Sequence, residues 1–143
     1  RAVSGVLRNA QNGDLPLFAW TLGMPQSELL ALLARLFPEV EPVEAMPNAQ
    51  YHKLLRMCPP DFAAMLALLL ANRNPAQPER LTRWLAHAIT AACYGERELW
   101  EDLELGGRDD LGRLLQQYFP PLHARLRSGH NWKQVLLAEF HAA

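Results

Sequence analysis

The densest group of side chains able to do chemistry is the acidic stretch at residues 96–102. Glu98 and Asp102 lie four residues apart, so on a helix they would share one face, with Glu101 adjacent. Two carboxylates placed in this way could bind a hard cation or hold a proton. They could equally form a solvated acidic face or pair with neighbouring arginines such as Arg97. We favour this second, structural interpretation.

Two cysteines and five histidines are the remaining potential metal ligands. Cys58 and Cys93 lack the close spacing of a metal site and are most simply small buried hydrophobic residues. His87 precedes Cys93 by six residues, which is about 240° around a helix, so these two cannot chelate one ion from a regular helix. The histidines do not cluster, and each one alone is expected to be structural or exposed.

No motif of a known enzyme class is present. The chain contains no Gly-x-Gly-x-x-Gly, phosphate-binding loop, Gly-x-Ser-x-Gly or His-Glu-x-x-His sequence. Serine and threonine are scarce, and none lies in a recognisable nucleophile context. An enzymatic function would rest on the paired carboxylates alone, so we predict that the protein is not an enzyme.

The four tryptophans are large enough to decide packing or recognition. Trp20, Trp84, Trp100 and Trp132 are expected to be core residues or half-buried anchors. Trp100, flanked by charged residues next to Asp102, could instead be a hot spot for a partner protein. Both interpretations of Trp100 stay open at this point.

Helices must position these side chains. Apolar residues recur with helical spacing in segments that end at proline or glycine, and the strongest segments are residues 25–37 and 79–94. Residues 62–72 are apolar nearly all round, which predicts a helix at the centre of the core. The stretches 39–47 and 72–78 contain prolines and are predicted connectors.

The composition favours an all-α fold. The 143 residues include 27 leucines and 20 alanines but only nine valines, isoleucines and threonines together, which nearly excludes a sheet-rich protein. We predict a single compact domain over residues 1–143, built from about eight to ten short helices broken by proline and glycine. A chain of this length buries enough surface to fold without a metal or a disulfide.

Charge and hydropathy exclude several classes of partner. The formal net charge is −1, so no excess of basic residues points to nucleic acid. The longest apolar run, residues 62–71, is far shorter than a membrane span, so no membrane partner is expected. Two cysteines outside any disulfide pattern indicate a cytoplasmic location. The chain begins at Arg1 without methionine, and its natural N-terminus is expected to lie upstream.

A series of motifs in the second half of the chain keeps a defined order. Its members are Ala92-Cys93 at the end of a helix, a Leu-Trp-Glu-Asp-Leu-Glu-Leu segment at 99–105, Phe119-Pro120, and Trp132-Lys133. In order and spacing this series resembles the NifQ family of nitrogen-fixation proteins. The resemblance covers residues 61–140.

The resemblance implies a non-catalytic role in molybdenum handling. NifQ proteins carry an iron–sulfur cluster that holds molybdenum, and they pass the metal toward assembly of the nitrogenase iron–molybdenum cofactor. Their ligands are expected in a C-terminal tail of the form Cys-x4-Cys-x2-Cys-x5-Cys, in keeping with the preference of such clusters for thiolates. The implied partners are proteins of cofactor assembly, and the oligomeric state is left open.

The chain departs from the family pattern where ligands would be expected. It stops at Ala143 without the cysteine tail, so either the tail is missing from this sequence or the chain is a divergent relative that has lost the cluster site. We favour the divergent relative, and no cofactor is expected within these residues. His141 stands where a further cysteine is usual. Glu98 replaces the family's histidine, and Glu104 replaces its glycine in Asp-Leu-Gly-Leu.

The resemblance also suggests roles for individual residues. If a metal site remains, its candidate ligands are Cys93, Glu98 and His141. The residues expected to keep the family's structural or docking role are Trp100, Asp102, Arg108, Trp132 and Lys133. An alternative function is a metal-free helical module that docks onto other proteins through the Trp100 and Asp102 surface.

Overall fold

The computed structural model describes residues 2–11, 13, 15–36, 47–95 and 98–125. Within these ranges every regular element is a helix, which confirms the all-α prediction. A 3₁₀ helix, Leu17–Thr21, lies between the first two α-helices. The α-helices are α1 (Ala2–Gln11), α2 (Gln26–Leu36), α3 (Asn48–Arg56), α4 (Phe62–Ala71), α5 (Glu79–Ala92), α6 (Leu99–Asp102), α7 (Arg108–Tyr118) and α8 (Pro120–Arg125).

Proline and glycine set the helix boundaries. Gly13 follows α1 with a positive φ of 82° and donates its N–H to the Ala10 carbonyl. Only glycine adopts this conformation without strain, so the helix ends here. Pro25 directly precedes α2, and Pro120 is the first residue of α8. Proline is favoured at such positions because a helix leaves its first N–H groups without an intrahelical acceptor.

Helix α5 is the centre of the fold. Every residue from 84 to 92 is buried, and α5 packs against α1, α4 and α6. Four alanines make this possible because a methyl side chain lets neighbouring helices approach closely on several sides. They are Ala86, Ala88, Ala91 and Ala92.

Helix α4 is less central than its sequence predicts. Of its ten residues, all apolar, only Phe62, Met65 and Leu69 are buried. The prediction of a central α4 was therefore wrong. An apolar sequence shows what a helix could bury, whereas the neighbours that pack around it decide what it does bury.

Among the helices that the structure describes, none combines the length and the apolar character needed to cross a membrane.

A left-handed turn joins the 3₁₀ helix to α2. Leu22 and Gly23 have φ values of 50° and 67°, and a Cβ at Gly23 would lie 2.4 Å from an aromatic ring of α4. His87 of α5 donates its Nδ1–H to the Leu22 carbonyl over 2.8 Å. The Tyr51 hydroxyl of α3 donates to the Met24 carbonyl over 2.7 Å. Side chains from two helices thus hold this turn.

The tryptophans differ in environment. Trp84 is buried, as expected, and its indole Nε1–H donates to the Glu28 carboxylate of α2 over 2.8 Å. Trp100 is half-buried. Trp20 is 42% exposed, so its prediction as a core or half-buried anchor was wrong. Its 3₁₀ helix is only five residues long, so the burial of Phe18 leaves Trp20 on the outer side. Trp132 lies outside the described residues.

Candidate docking cleft around Trp100

Three of the predicted site residues, Glu98, Trp100 and Asp102, lie at the one-turn helix α6. Glu98 precedes this helix with an extended backbone, and its carbonyl accepts the N–H of Glu101 over 3.0 Å. Leu99 and Asp102 are buried, whereas Trp100 and Glu101 are half-buried. The single turn therefore directs two side chains into the core and leaves the others accessible to solvent.

The paired carboxylates do not share a face. Glu98 Oε2 accepts a hydrogen bond from Trp100 Nε1 over 2.6 Å, while the Asp102 side chain is fully buried. The Glu98 carbonyl does accept the Asp102 N–H over 3.3 Å, but Glu98 precedes the helix with an extended backbone. Its side chain therefore bonds Trp100 at the surface while that of Asp102 is buried, and the predicted pairing of the two carboxylates was wrong. Within the described ranges, no group of three or more His, Cys, Asp and Glu side chains is arranged to hold a metal ion.

Helix α1 holds α6 in place. Asn9 of α1 is buried, and its Nδ2 donates to the Asp102 carbonyl over 3.0 Å and to the Gly5 carbonyl over 3.0 Å. Gly5 permits the close approach, since a Cβ there would lie 2.7 Å from the Leu103 carbonyl oxygen. We did not predict these residues as part of the site. The sequence pattern that could have indicated them is a glycine and an asparagine on an otherwise apolar face of a helix.

Glu104 follows α6 in a left-handed conformation, with a φ of 54°. This is the position at which the resemblance places a glycine, and the backbone explains why, since glycine adopts such a φ without strain. The Glu104 carboxylate pairs with Arg8 of α1, 2.6 Å from Nη2 and 3.0 Å from Nε. Arg8 thereby adds a second attachment of this turn to α1.

A surface cleft of about 500 Å³ lies between α6 and the start of α7. One Asp110 oxygen accepts the Gly106 N–H over 3.0 Å, and the other pairs with Arg113. These contacts fix the glycine turn against α7. The described residues that line the cleft are Glu98, Trp100, Gly106, Gly107, Asp109, Asp110 and Arg113.

Sequence reasoning identified only part of this cleft. It singled out Glu98 and Trp100. Asp109 and Asp110 lie in the first turn of α7, where their charges complement the dipole of that helix. The lining glycines were missed. The sequence pattern that could have indicated them is a Gly-Gly pair shortly before two aspartates, which is typical of a turn that leads into a helix.

The remaining candidate residues are spread over the chain. Cys93 is buried at the C-terminal end of α5, where its N–H donates to the Ile89 and Thr90 carbonyls. Arg108 is the first residue of α7. The structure does not bring a ligand set together around Cys93 and Glu98 within the described residues. His141, Trp132 and Lys133 lie outside them. The roles of all the proposed metal ligands and docking residues stay predictions.

Comparison with known proteins bears directly on the resemblance. The sequence model of the NifQ family matches residues 2–140. The chain is 31% identical over 137 aligned residues to Protein NifQ of Azotobacter vinelandii, an alignment that covers 90% of this chain and 69% of that relative. No solved structure matches the chain. The chain therefore belongs to the NifQ family of nitrogen-fixation proteins.

Proposed function

We propose that this protein is a non-catalytic, cytoplasmic carrier that handles molybdenum for assembly of the nitrogenase cofactor. Its cargo would be a molybdenum–iron–sulfur cluster held by a C-terminal cysteine tail of the family form. A relative that has lost this tail would keep only the docking part of the function. The observation that carries the proposal is the family match over residues 2–140. In this function the protein would bind the metal and deliver it to a recipient protein.

The described helical body does not fit the cluster as its binding site. Such clusters need several thiolates close together, and no group of three or more potential ligands forms within the described ranges. Burial raises the pKa of Cys58 to about 11, so its sulfur is a neutral thiol at physiological pH. We therefore assign no step of cluster binding to these helices and propose that they contribute partner recognition.

The cleft around Trp100 suits this contribution. A rigid aromatic side chain loses little conformational entropy on binding, which makes a pre-ordered tryptophan an effective anchor. Trp100 is held by its bond to Glu98, and α6 is held by Asn9. We propose that a protein of cofactor assembly docks in this cleft.

Metal analysis tests the carrier function. The natural full-length protein, purified without oxygen from nitrogen-fixing cells, should contain molybdenum, iron and acid-labile sulfide. Replacing Cys93, Glu98 or His141 by alanine one at a time would show which of these residues affects the content. A wild-type protein with no more of the three elements than an unrelated protein taken through the same purification would contradict the proposal.

Partner capture tests the cleft. Trp100→Ala should lower the recovery of cofactor-assembly proteins from nitrogen-fixing cells, whereas Trp20→Ala, at an exposed tryptophan on another element, should not. Circular dichroism would verify that both variants are folded. Equal recovery with the two variants would contradict docking at the cleft. If this protein recovers partners through Trp100 but contains no metal when purified, the result would instead support the metal-free docking module.

A further inference from the structure

The cleft around Trp100 is lined mainly by acidic side chains. Its described lining includes three carboxylates, those of Glu98, Asp109 and Asp110, against one guanidinium, that of Arg113. The Arg113 guanidinium already pairs with Asp110. Among the described side chains, the cleft therefore carries an excess of negative charge that a basic partner would complement.

The sequence around the cleft has the same sign of charge. Residues 96–113 contain seven Asp and Glu and three Arg, a net charge of −4, whereas the chain as a whole carries −1. Two of these acids face inward or toward α1, since Asp102 is buried and Glu104 pairs with Arg8. Without these two the segment still carries −2. A basic group would therefore be attracted to this segment in preference to the rest of the chain.

Trp100 narrows the kind of basic group that suits the cleft. Its indole N–H donates to Glu98 Oε2 over 2.6 Å, so a partner meets the ring rather than a vacant N–H. The face of an aromatic ring attracts a cation, and tryptophan does so most strongly. A guanidinium is the best match, because it is flat enough to stack on an indole and donates several hydrogen bonds to carboxylates.

We propose that the cleft receives an arginine side chain of the docking protein, stacked on Trp100 and paired with Glu98 or Asp109. This inference rests on the docking proposed above and names the chemistry of the partner. A bare metal ion is a poorer occupant, because within the described ranges no group of three or more His, Cys, Asp and Glu side chains is arranged to hold one. An acidic side chain could pair with Arg113, but Asp109 and Asp110 would repel it.

A titration followed by nuclear magnetic resonance tests this chemistry without a partner protein. The probe is N-acetyl-arginine amide, added at millimolar concentration because a single side chain binds weakly. It should shift the resonance of the Trp100 indole N–H and those of the Gly106 and Gly107 amides, which line the cleft. N-acetyl-citrulline amide has nearly the same shape without the charge, so it should bind roughly threefold more weakly or less.

A variant of the cleft and a matched control sharpen the titration. Asp109→Asn keeps the shape of the side chain and should weaken binding of the arginine probe by roughly two- to fivefold. Glu79→Gln removes an exposed carboxylate from the first turn of another helix, α5, and should bind the probe like the wild type.

Three results of the titration would overturn the inference. They are no shift of the cleft resonances with arginine, equal binding of arginine and citrulline, and binding of N-acetyl-glutamate amide as strong as that of arginine. If Asp109→Asn fails to fold, the wild-type chain with these probes still decides.

Partner capture separates this inference from the docking on which it rests. Asp109→Asn should lower the recovery of cofactor-assembly proteins, as Trp100→Ala should, whereas Glu79→Gln should not. Recovery that falls with Trp100→Ala but not with Asp109→Asn would overturn the arginine contact and leave docking at the cleft intact. Recovery that falls with neither variant would contradict docking itself, and the inference with it.

Discussion

At the scale of single residues, His87 makes the stability of the fold depend on pH. Burial lowers the pKa of His87, and nearby Arg83 lowers it further, while the bond to the Leu22 carbonyl and the charge of Glu28 act in the opposite direction. The unfolded chain therefore takes up a proton at a higher pH than the folded chain does. Stability is greatest above the ordinary histidine pKa of about 6.5 and declines as the pH falls through it.

Replacing His87 should reduce this decline. We expect the free energy of unfolding of the wild type to fall between about pH 7.5 and about pH 5.5, and His87→Asn to fall less over that range. Urea titrations followed by circular dichroism measure both slopes, with His52→Asn, at an exposed histidine of α3, as control. The pKa of Glu28 is lowered by its bonds to Arg80 and Trp84, so its contribution is lost only at more acidic pH. Equal slopes for wild type and His87→Asn would contradict this role.

Glu104 offers a second test at this scale. Glu104→Gly and Glu104→Ala both remove the exposed ion pair with Arg8, but only glycine relieves the left-handed backbone. We expect the glycine variant to be more stable than the alanine variant by about 1 kcal/mol. Thermal and urea unfolding would measure the difference. An alanine variant of equal or greater stability would show that the turn carries no backbone strain.

At the scale of elements, the contact between α1 and α6 depends on the missing side chain of Gly5. Gly5→Ala should destabilise the protein by about 1 to 3 kcal/mol, because the added methyl would lie against the Leu103 backbone, which cannot move aside cheaply. Gly107→Ala is the control, since a Cβ there meets nothing within 4 Å. In a helix without this contact, Gly5→Ala would instead stabilise by about 0.5 to 1 kcal/mol.

Local sequence predicted the elements better than their packing. Gly13, Pro25 and Pro120 punctuate the described helices where backbone chemistry requires it, so helix positions could be read from the sequence. The relative burial of α4 and α5 could not, because it depends on which helices surround each one. The register around α6 failed for a different reason. Glu98 precedes the first helical residue with an extended backbone, so its side chain does not follow the helical spacing that would pair it with Asp102.

The candidate site was predictable only where its residues carry a pattern that is local in the sequence. Trp100 was identified from its charged flanks, which are local in sequence. Asn9 and Arg8 act on α6 from more than 90 residues away, and no local pattern indicates such a contact. The glycine expected at position 104 from the resemblance is explained only by the φ that the structure shows there.

At the scale of the whole molecule, one core extends through the described chain. Buried apolar residues from Ala2 in α1 to Leu122 in α8 belong to a single cluster. Elements that share one core lose their packing together, so we expect a single cooperative unfolding transition. Circular dichroism and tryptophan fluorescence should give the same midpoint in urea. Two separate midpoints would show that residues 1–143 do not form the predicted single domain.

The attachment of α6 to α1 links two parts of the chain that lie 93 residues apart at Asn9 and Asp102. Four residues cannot form a stable helix in isolation, so α6 depends on its packing against α1, α5 and α7. Release of α1 would remove one of these contacts, so we expect it to speed the exchange of the α6 amide protons with solvent. Cutting the chain within α1 should likewise loosen the turn that presents Trp100. In the function that we propose, the first helix therefore supports partner recognition by holding α6 in position.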